Sequence, residues 1–289
     1  KRITPEPSSR TTSSPNAVAD PYERTVVMIK GCQFEQATYR KIALTCPSFF
    51  ARTFSIKPLE AGKWRFEFER MIPMLCPNNT THYQLNAYLF IPDTDRRLLI
   101  GLGFVLDTLV GLRLLHKSIG VLHCDISPNN IMYSQFDDCW KINDFDRAVQ
   151  IKEAPRKCSS RRTPEFIAPE VFAKGALSEA SDVYSLGRVF GFLIGPFIQP
   201  AFRRARPQAQ VLAYNTFQAL CTRMTVSWPS SRPCLDEAIK TILGVYTPLL
   251  PTNSQPSQVV RAAEEIVYEF DLAAAKASVP AVRTIPALA

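Results

Sequence analysis

None of the eight cysteines, at positions 32, 46, 76, 124, 139, 158, 221 and 234, forms a CxxC pair. A structural zinc site therefore has no framework in this chain. No secretory signal is visible, so the cysteines are expected to be reduced thiols of an intracellular protein, cytoplasmic or nuclear. The sequons in Asn78-Asn79-Thr80-Thr81 then read as bare loop residues. Glycine is scarce, 11 in 289 residues, and none occurs before Gly31. No internal repeat is present. The longest apolar run, Leu98–Leu115, is interrupted by Asp107, Arg113 and three glycines. That makes a buried helix the better reading, and no membrane partner is expected. Lys and Arg outnumber Asp and Glu by 34 to 26 without aromatic residues interleaved among them. Nucleic acid is therefore not expected as a partner, although a net charge of +8 favours phosphate-bearing partners in general.

A hydrophobic content of 46% supplies a core and excludes a wholly disordered chain, and 289 residues suffice for two lobes sharing a cleft. Residues 1–20, rich in Ser, Thr and Pro, are expected to be a disordered leader, and the initial Lys suggests a fragment of something longer. The β-branched run Thr25–Lys30 predicts a strand, the spacing Phe34, Ala37, Ile42 a helix over Phe34–Leu44, and Ala51–Ile56 and Trp64–Met71 two further strands. Beyond Pro77 the pattern turns helical. Helices are predicted at Arg96–His116, stopped by Gly120, and at Ser181–Ile194, Val211–Met224, Leu235–Val245 and Gln258–Ala275. Short strands at Ile131–Tyr133 and Trp140–Ile142 flank a turn containing Asp137-Asp138. The expected division is a small lobe over 21–75, a large lobe over 76–250, and a C-terminal helix and tail over 251–289. The class is α+β.

The residues that carry chemistry lie between His123 and Asp146. Asp125 and Asn130, in one loop between a buried helix and a short hairpin, can converge on a point: a carboxylate to orient a hydroxyl and take its proton, and an amide oxygen for a metal. Asp144 follows at the end of an apolar strand, where a carboxylate is costly unless it meets a cation. Phosphoryl transfer needs these parts.

Together they resemble the protein kinase superfamily. His123-Cys124-Asp125 with Asn130 is similar to its H-R-D-x-x-x-x-N loop, Asp144-Phe145-Asp146 to its D-F-G, and Ala168-Pro169-Glu170 to its A-P-E. Ser181–Gly187 is similar to the helix that anchors the catalytic loop through Asp182, and Arg232 to the arginine that pairs with the A-P-E glutamate, here Glu170. I-S-P-N-N with D-F-D resembles the fungal-type protein kinase family in particular. The resemblance covers 22–246. It implies a bilobal fold with a small, truncated β-rich lobe and a large helical lobe. It also implies ATP and Mg²⁺ as cofactors and a protein as substrate. Asp125 is the implied catalytic base, and Asn130 and Asp144 the metal ligands. His123 and Phe145 are implied members of an internal spine. Val27-Met28-Ile29-Lys30 resembles the V-A-I-K strand, so Lys30 is the implied phosphate lysine, with Glu35 as its partner and Tyr39 four residues further on.

Several positions depart from that pattern. With no glycine before Gly31, the glycine-rich loop that shields the γ-phosphate is absent from these 289 residues: either it lies upstream of the fragment, or the protein never had one. Met28 narrows the adenine side of the pocket. Ser127 stands where Ser/Thr kinases carry a lysine, so that positive charge is lost. Cys124 replaces the arginine that reads an activation-loop phosphate. Lys152, Arg156, Lys157, Arg161 and Arg162 make the segment after Asp146 basic. The implied function is a Ser/Thr protein kinase. The alternatives are a catalytically impaired binding module of the same fold, and a small-molecule kinase of the aminoglycoside or choline type.

Overall fold

The computed structural model describes residues 25–30, 33–46, 48–73, 94–153, 164–198 and 207–278. The small lobe begins with β1 (Thr25–Lys30), followed by helix α1 (Gln33–Thr45) and strands β2 (Thr53–Pro58) and β3 (Trp64–Glu69). The strands form an antiparallel sheet in the order β1-β3-β2, with Met28 opposite Phe66 and Lys30 opposite Trp64. Alternation places Phe66 and Phe68 of β3 on the buried face. Helix α1 lays Tyr39, Ile42 and Cys46, spaced three and four apart, against that face. The second strand starts two residues later than its pattern predicts. Phe50 and Ala51 are buried without pairing, and ladder pairing opens only at Thr53 opposite Phe68. The segments 1–24 and 279–289 and the expected lobe boundary after residue 75 lie outside the described residues.

Strand β4 (Ile72–Pro73) leaves the small lobe and pairs with the hairpin of β6 (Ile131–Ser134) and β7 (Cys139–Ile142), Ile72 opposite Tyr133. Two-residue strands of this kind carry no periodicity, and neither β4 nor the ribbon of β5 (Val121–Leu122) with β8 (Val149–Gln150) is foreseen by pattern.

Helix α2 (Thr94–Leu114) runs through the centre of the large lobe. Leu98, Leu102, Val105, Leu106, Leu109, Val110 and Leu112 are all buried in it, each burial stabilising by roughly 1.5–3 kcal/mol. A π-helical turn extends it through Ile119, and Gly120 ends it in the left-handed conformation at φ 78°, as the predicted stop requires. The span Asp95–Ile119 is long and apolar enough to cross a membrane by length and composition, but 67% of its apolar window is buried inside the molecule.

Around α2 stand the short α3 (Pro169–Lys174), then α4 (Glu179–Val189), α5 (Gly195–Ile198), α6 (Gln208–Met224), α7 (Leu235–Tyr246) and α8 (Gln258–Ser278). Helix α4 starts ahead of its apolar stripe because Ser178 caps it, with Ser181 returning the bond to Ser178 N. After Val189 its path widens into a π turn, Phe190–Ile194. Gly187 permits the close approach of α4 to α6, since a Cβ there would lie 2.6 Å from Met224 Cβ. Val259, Val260, Ala263 and Ile266 set α8 into the same core.

Candidate active site

The loop from His123 to Asn130 leaves β5 and is fixed from below by Asp182 at the buried start of α4. His123 N–H donates to Asp182 Oδ2 at 2.8 Å and Cys124 N–H to Oδ1 at 2.9 Å, with His116 Nε2 at 2.9 Å from Oδ2. Burial works against the charge on Asp182. The His116 hydrogen bond, with the His116 and His123 rings and the Cys124 N–H beside it, nonetheless holds the carboxyl below its usual value. This is the anchoring role expected of Asp182. The held backbone is strained at Cys124, φ 66°, a conformation costing of order 1–3 kcal/mol for a non-glycine residue. His123 is oriented on both ring nitrogens. Asp125 N–H donates to Nδ1 at 3.2 Å, so the proton sits on Nε2, which faces Asn143 O at 3.0 Å.

Asn130 and Asp144 arrive side by side because Asn143 N–H donates to Asn130 O at 2.8 Å. Asn130 commits its Nδ2 to the Asp125 carbonyl at 2.8 Å, which leaves Oδ1 as the acceptor that can meet a cation. Asp144 is held at φ 66°. An amide oxygen and a carboxylate suit a hard ion such as Mg²⁺, which fills its remaining positions with water and phosphate. Among the described residues no group of three or more His, Cys, Asp or Glu gathers into a metal cage.

Behind the site a column of rings joins the lobes. His123 meets Phe145 at 5.4 Å between centroids, Phe145 meets Tyr39 at 5.2 Å, and Tyr39 meets Phe68 at 4.7 Å. Tyr39 also donates its hydroxyl to Asn143 Oδ1 at 3.3 Å. His123 and Phe145 thus occupy the structural spine that the family resemblance implies. A second tie crosses between lobes: the Lys141 ammonium, 0% exposed, lies 2.7 Å from Glu69 Oε1 and 2.5 Å from Asp137 Oδ2. Ser134 donates to Glu69 Oε2 at 2.7 Å, and Arg52 pairs with Asp137. Burial opposes the charge on Asp137, but Arg52 and Lys141 keep its carboxyl below the usual value.

On the far side, Arg232 closes on Glu170 with both guanidinium arms, at 2.6 and 2.8 Å, and its plane lies 4.8 Å from the Tyr184 ring. A shallow groove between this platform and the loop is lined by Asp125, Ile126, Phe166, Ile167 and Ser185. Cys124 is buried in an apolar cluster with Leu122, Ala168 and Val171, so no cation stands at that position to read a loop phosphate.

Lys30 closes β1 and Glu35 lies in the first turn of α1, but their side chains, like that of Met28, lie outside the described residues. So do Arg156, Lys157, Arg161 and Arg162, while Lys152 is exposed. Sequence reasoning missed two features. One is the Glu69–Lys141 tie between residues far apart in the chain. The other is Arg147, whose Nε lies 3.2 Å from Asp125 Oδ2. A guanidinium from another segment thus stands beside Asp125.

Residues 99–247, just over half of the chain, match the family model of the protein kinase domain. The chain is 37% identical over 100 residues to a death-associated protein kinase of Caenorhabditis elegans, covering 33% of this chain and 7% of that protein. It is 39% identical over 109 residues to a G-type lectin S-receptor-like serine/threonine-protein kinase of Arabidopsis thaliana, covering 36% and 12%. To the serine/threonine-protein kinase PLK1 of Xenopus tropicalis it is 28% identical over 147 residues, covering 47% and 24%. The chain therefore spans less than a quarter of the length of each of these relatives.

Proposed function

The chain belongs to the protein kinase family, and from that premise we propose that it transfers the γ-phosphate of ATP to Ser or Thr hydroxyls of proteins. The observation that carries the reading is a loop whose backbone ends on the buried Asp182, with Asn130 tied to Asp125 and, through the Asn143 N–H, to the residue before Asp144. In the reaction the acceptor oxygen forms a bond to the γ-phosphorus as the bond from that phosphorus to the β–γ bridging oxygen breaks. The hydroxyl proton passes to the Asp125 carboxylate, and ADP leaves. Asn130 and Asp144 would hold Mg²⁺, whose charge offsets that developing between the β- and γ-phosphates.

Lys30, at the end of β1, is assigned to the α- and β-phosphates, with Glu35 holding it from the first turn of α1. A protein acceptor, and not a sugar or amino alcohol, is supported by the platform closed by Glu170 and Arg232. The names of two relatives specify serine and threonine. The apolar burial of Cys124 supports a site that works without a phosphate on the following loop. Free thiols at all five described cysteines are consistent with a reducing compartment, cytoplasm or nucleus.

The test is transfer of labelled γ-phosphate to a generic protein substrate with Mg²⁺. Wild type should label Ser and Thr, and Asp125→Asn and Asp144→Ala should each lose about 10²–10⁴-fold. Background counts in all three would sink the enzyme reading and leave a binding module, which a rise in Tm with ATP and Mg²⁺ would reveal. Label on an amino alcohol or sugar, with none on protein, would favour small-molecule phosphorylation.

A further inference from the structure

Ser127 is buried at the position where a lysine would bring positive charge to the acceptor side of the site. Asp125, Asp144 and Asp146 place three carboxylates on the two loops that must receive a polyphosphate. Arg147 stands against one of them, Nε 3.2 Å from Asp125 Oδ2. Two features of the fold put it there. The ribbon of β5 and β8 pairs Leu122 with Val149, so the chain leaving Leu122 toward Asp125 and the chain entering Val149 from Arg147 lie side by side at one end. The turn before Val149 is closed by Ala148 N–H donating to Phe145 O at 3.1 Å, and Phe145 is locked in the ring column. Arg147 is the third residue of that turn.

Stability does not account for the pair. The two side chains are 29% and 22% exposed, and pairs in that environment contribute about 0–1 kcal/mol. A guanidinium carries five donors in a rigid, planar fork, a geometry that suits phosphate oxygens.

We propose that Arg147 is the relocated cation of the catalytic loop: bridged to Asp125, it contacts the γ-phosphate and steadies the charge that spreads over its oxygens during transfer. This rests on the kinase reading above.

The experiment uses the full chain, with Arg147→Gln and Arg147→Lys, and first checks that each retains the wild-type Tm within a few degrees. Affinities for ATP and for ADP are measured by calorimetry with Mg²⁺, alongside kcat and KM for transfer. Arg147→Gln should weaken ATP about tenfold or more while leaving ADP within about twofold, because only ATP carries the γ-phosphate. Its kcat should fall about 10²-fold, in the range for loss of one charge-stabilising donor. Arg147→Lys should recover part of both. Equal loss for ATP and ADP, or no loss, in a wild type that transfers phosphate would overturn the role of Arg147 alone. Faster transfer by Arg147→Gln would also overturn it, marking Arg147 as a plug on Asp125. A wild type that neither binds ATP nor transfers phosphate would overturn the kinase reading, and this inference with it.

Discussion

Around the loop from His123 to Asn130, position is set by polar anchors. Two backbone N–H groups end on the buried Asp182, and Arg232 closes with both arms on Glu170. The small sheet is held differently. Tyr39, Phe66 and Phe68 form its inner surface, and it meets the large lobe through the Tyr39–Phe145 ring contact, the Lys41 ammonium on Ile119 O, and the ion network of Glu69, Lys141, Asp137 and Arg52. Directional bonds fix the loop backbone at His123 and Cys124, next to Asp125. Ring faces permit small rotations of one layer on another. The difference separates two tasks: the large lobe holds its own loop in place, and the lobe join governs where the small sheet sits against it.

The join is the place to break that comparison with the largest effect. Lys141→Ala leaves the buried Glu69 carboxylate without its cation and Asp137 with Arg52 alone, and should cost about 3–5 kcal/mol. Hydrogen exchange should quicken first at amides of β2 and β3, with α2 protected as before. Equal loosening of both lobes would mean they are one cooperative unit.

Glu170→Ala attacks the other side. It strands the Arg232 guanidinium, whose side chain is 0% exposed, and should cost about 2–3 kcal/mol in denaturant unfolding. Exchange in the small sheet should not change.

Asp107 tests the large lobe by pH. Burial raises its carboxyl to about 7, against the opposing Trp140 N–H bond and with added push from Asp138. The folded state then holds a proton that the unfolded state releases near pH 4, so stability falls as pH rises from about 4 to about 7. Asp107→Asn keeps an acceptor for Trp140 and should stabilise by about 1–2 kcal/mol at pH 8, with no gain near pH 4. Thermal unfolding at the two pH values decides it.

The smallest effect belongs to Tyr39→Phe, which keeps the ring column and removes the hydroxyl with its bond to Asn143 Oδ1. It should cost about 0.5–1.5 kcal/mol and show that Tyr39 acts in the join mainly through its ring. A larger loss would put the polar bond first.

Legibility in the sequence follows the same division. The loop residues Asp125, Asn130 and Asp144, and the supports Asp182, Glu170 and Arg232, stand at fixed spacings within local motifs, so their order along the chain already implied one centre. The hairpin at Ile131–Tyr133 and Trp140–Ile142 was legible because apolar and aromatic residues flank Asp137-Asp138. Lys141 was not, since a lysine within a short strand carries no sign of a carboxylate buried against it from another lobe. Arg147 escaped for a related reason: it meets Asp125 only through the pairing of two-residue strands. The π turns at Leu115–Ile119 and Phe190–Ile194 arise from packing and leave no mark on apolar spacing.

The central claim is that the loop anchored on Asp182 performs phosphoryl transfer to protein hydroxyls. Its most direct test is to incubate the chain with a protein substrate, Mg²⁺ and ATP bearing ¹⁸O in the γ-phosphate, and to map the modified residues by mass spectrometry. The account predicts phosphoserine and phosphothreonine carrying the heavy oxygens, and their disappearance with Asp144→Ala. Unmodified substrate with wild type, or equal modification by both proteins, would contradict it.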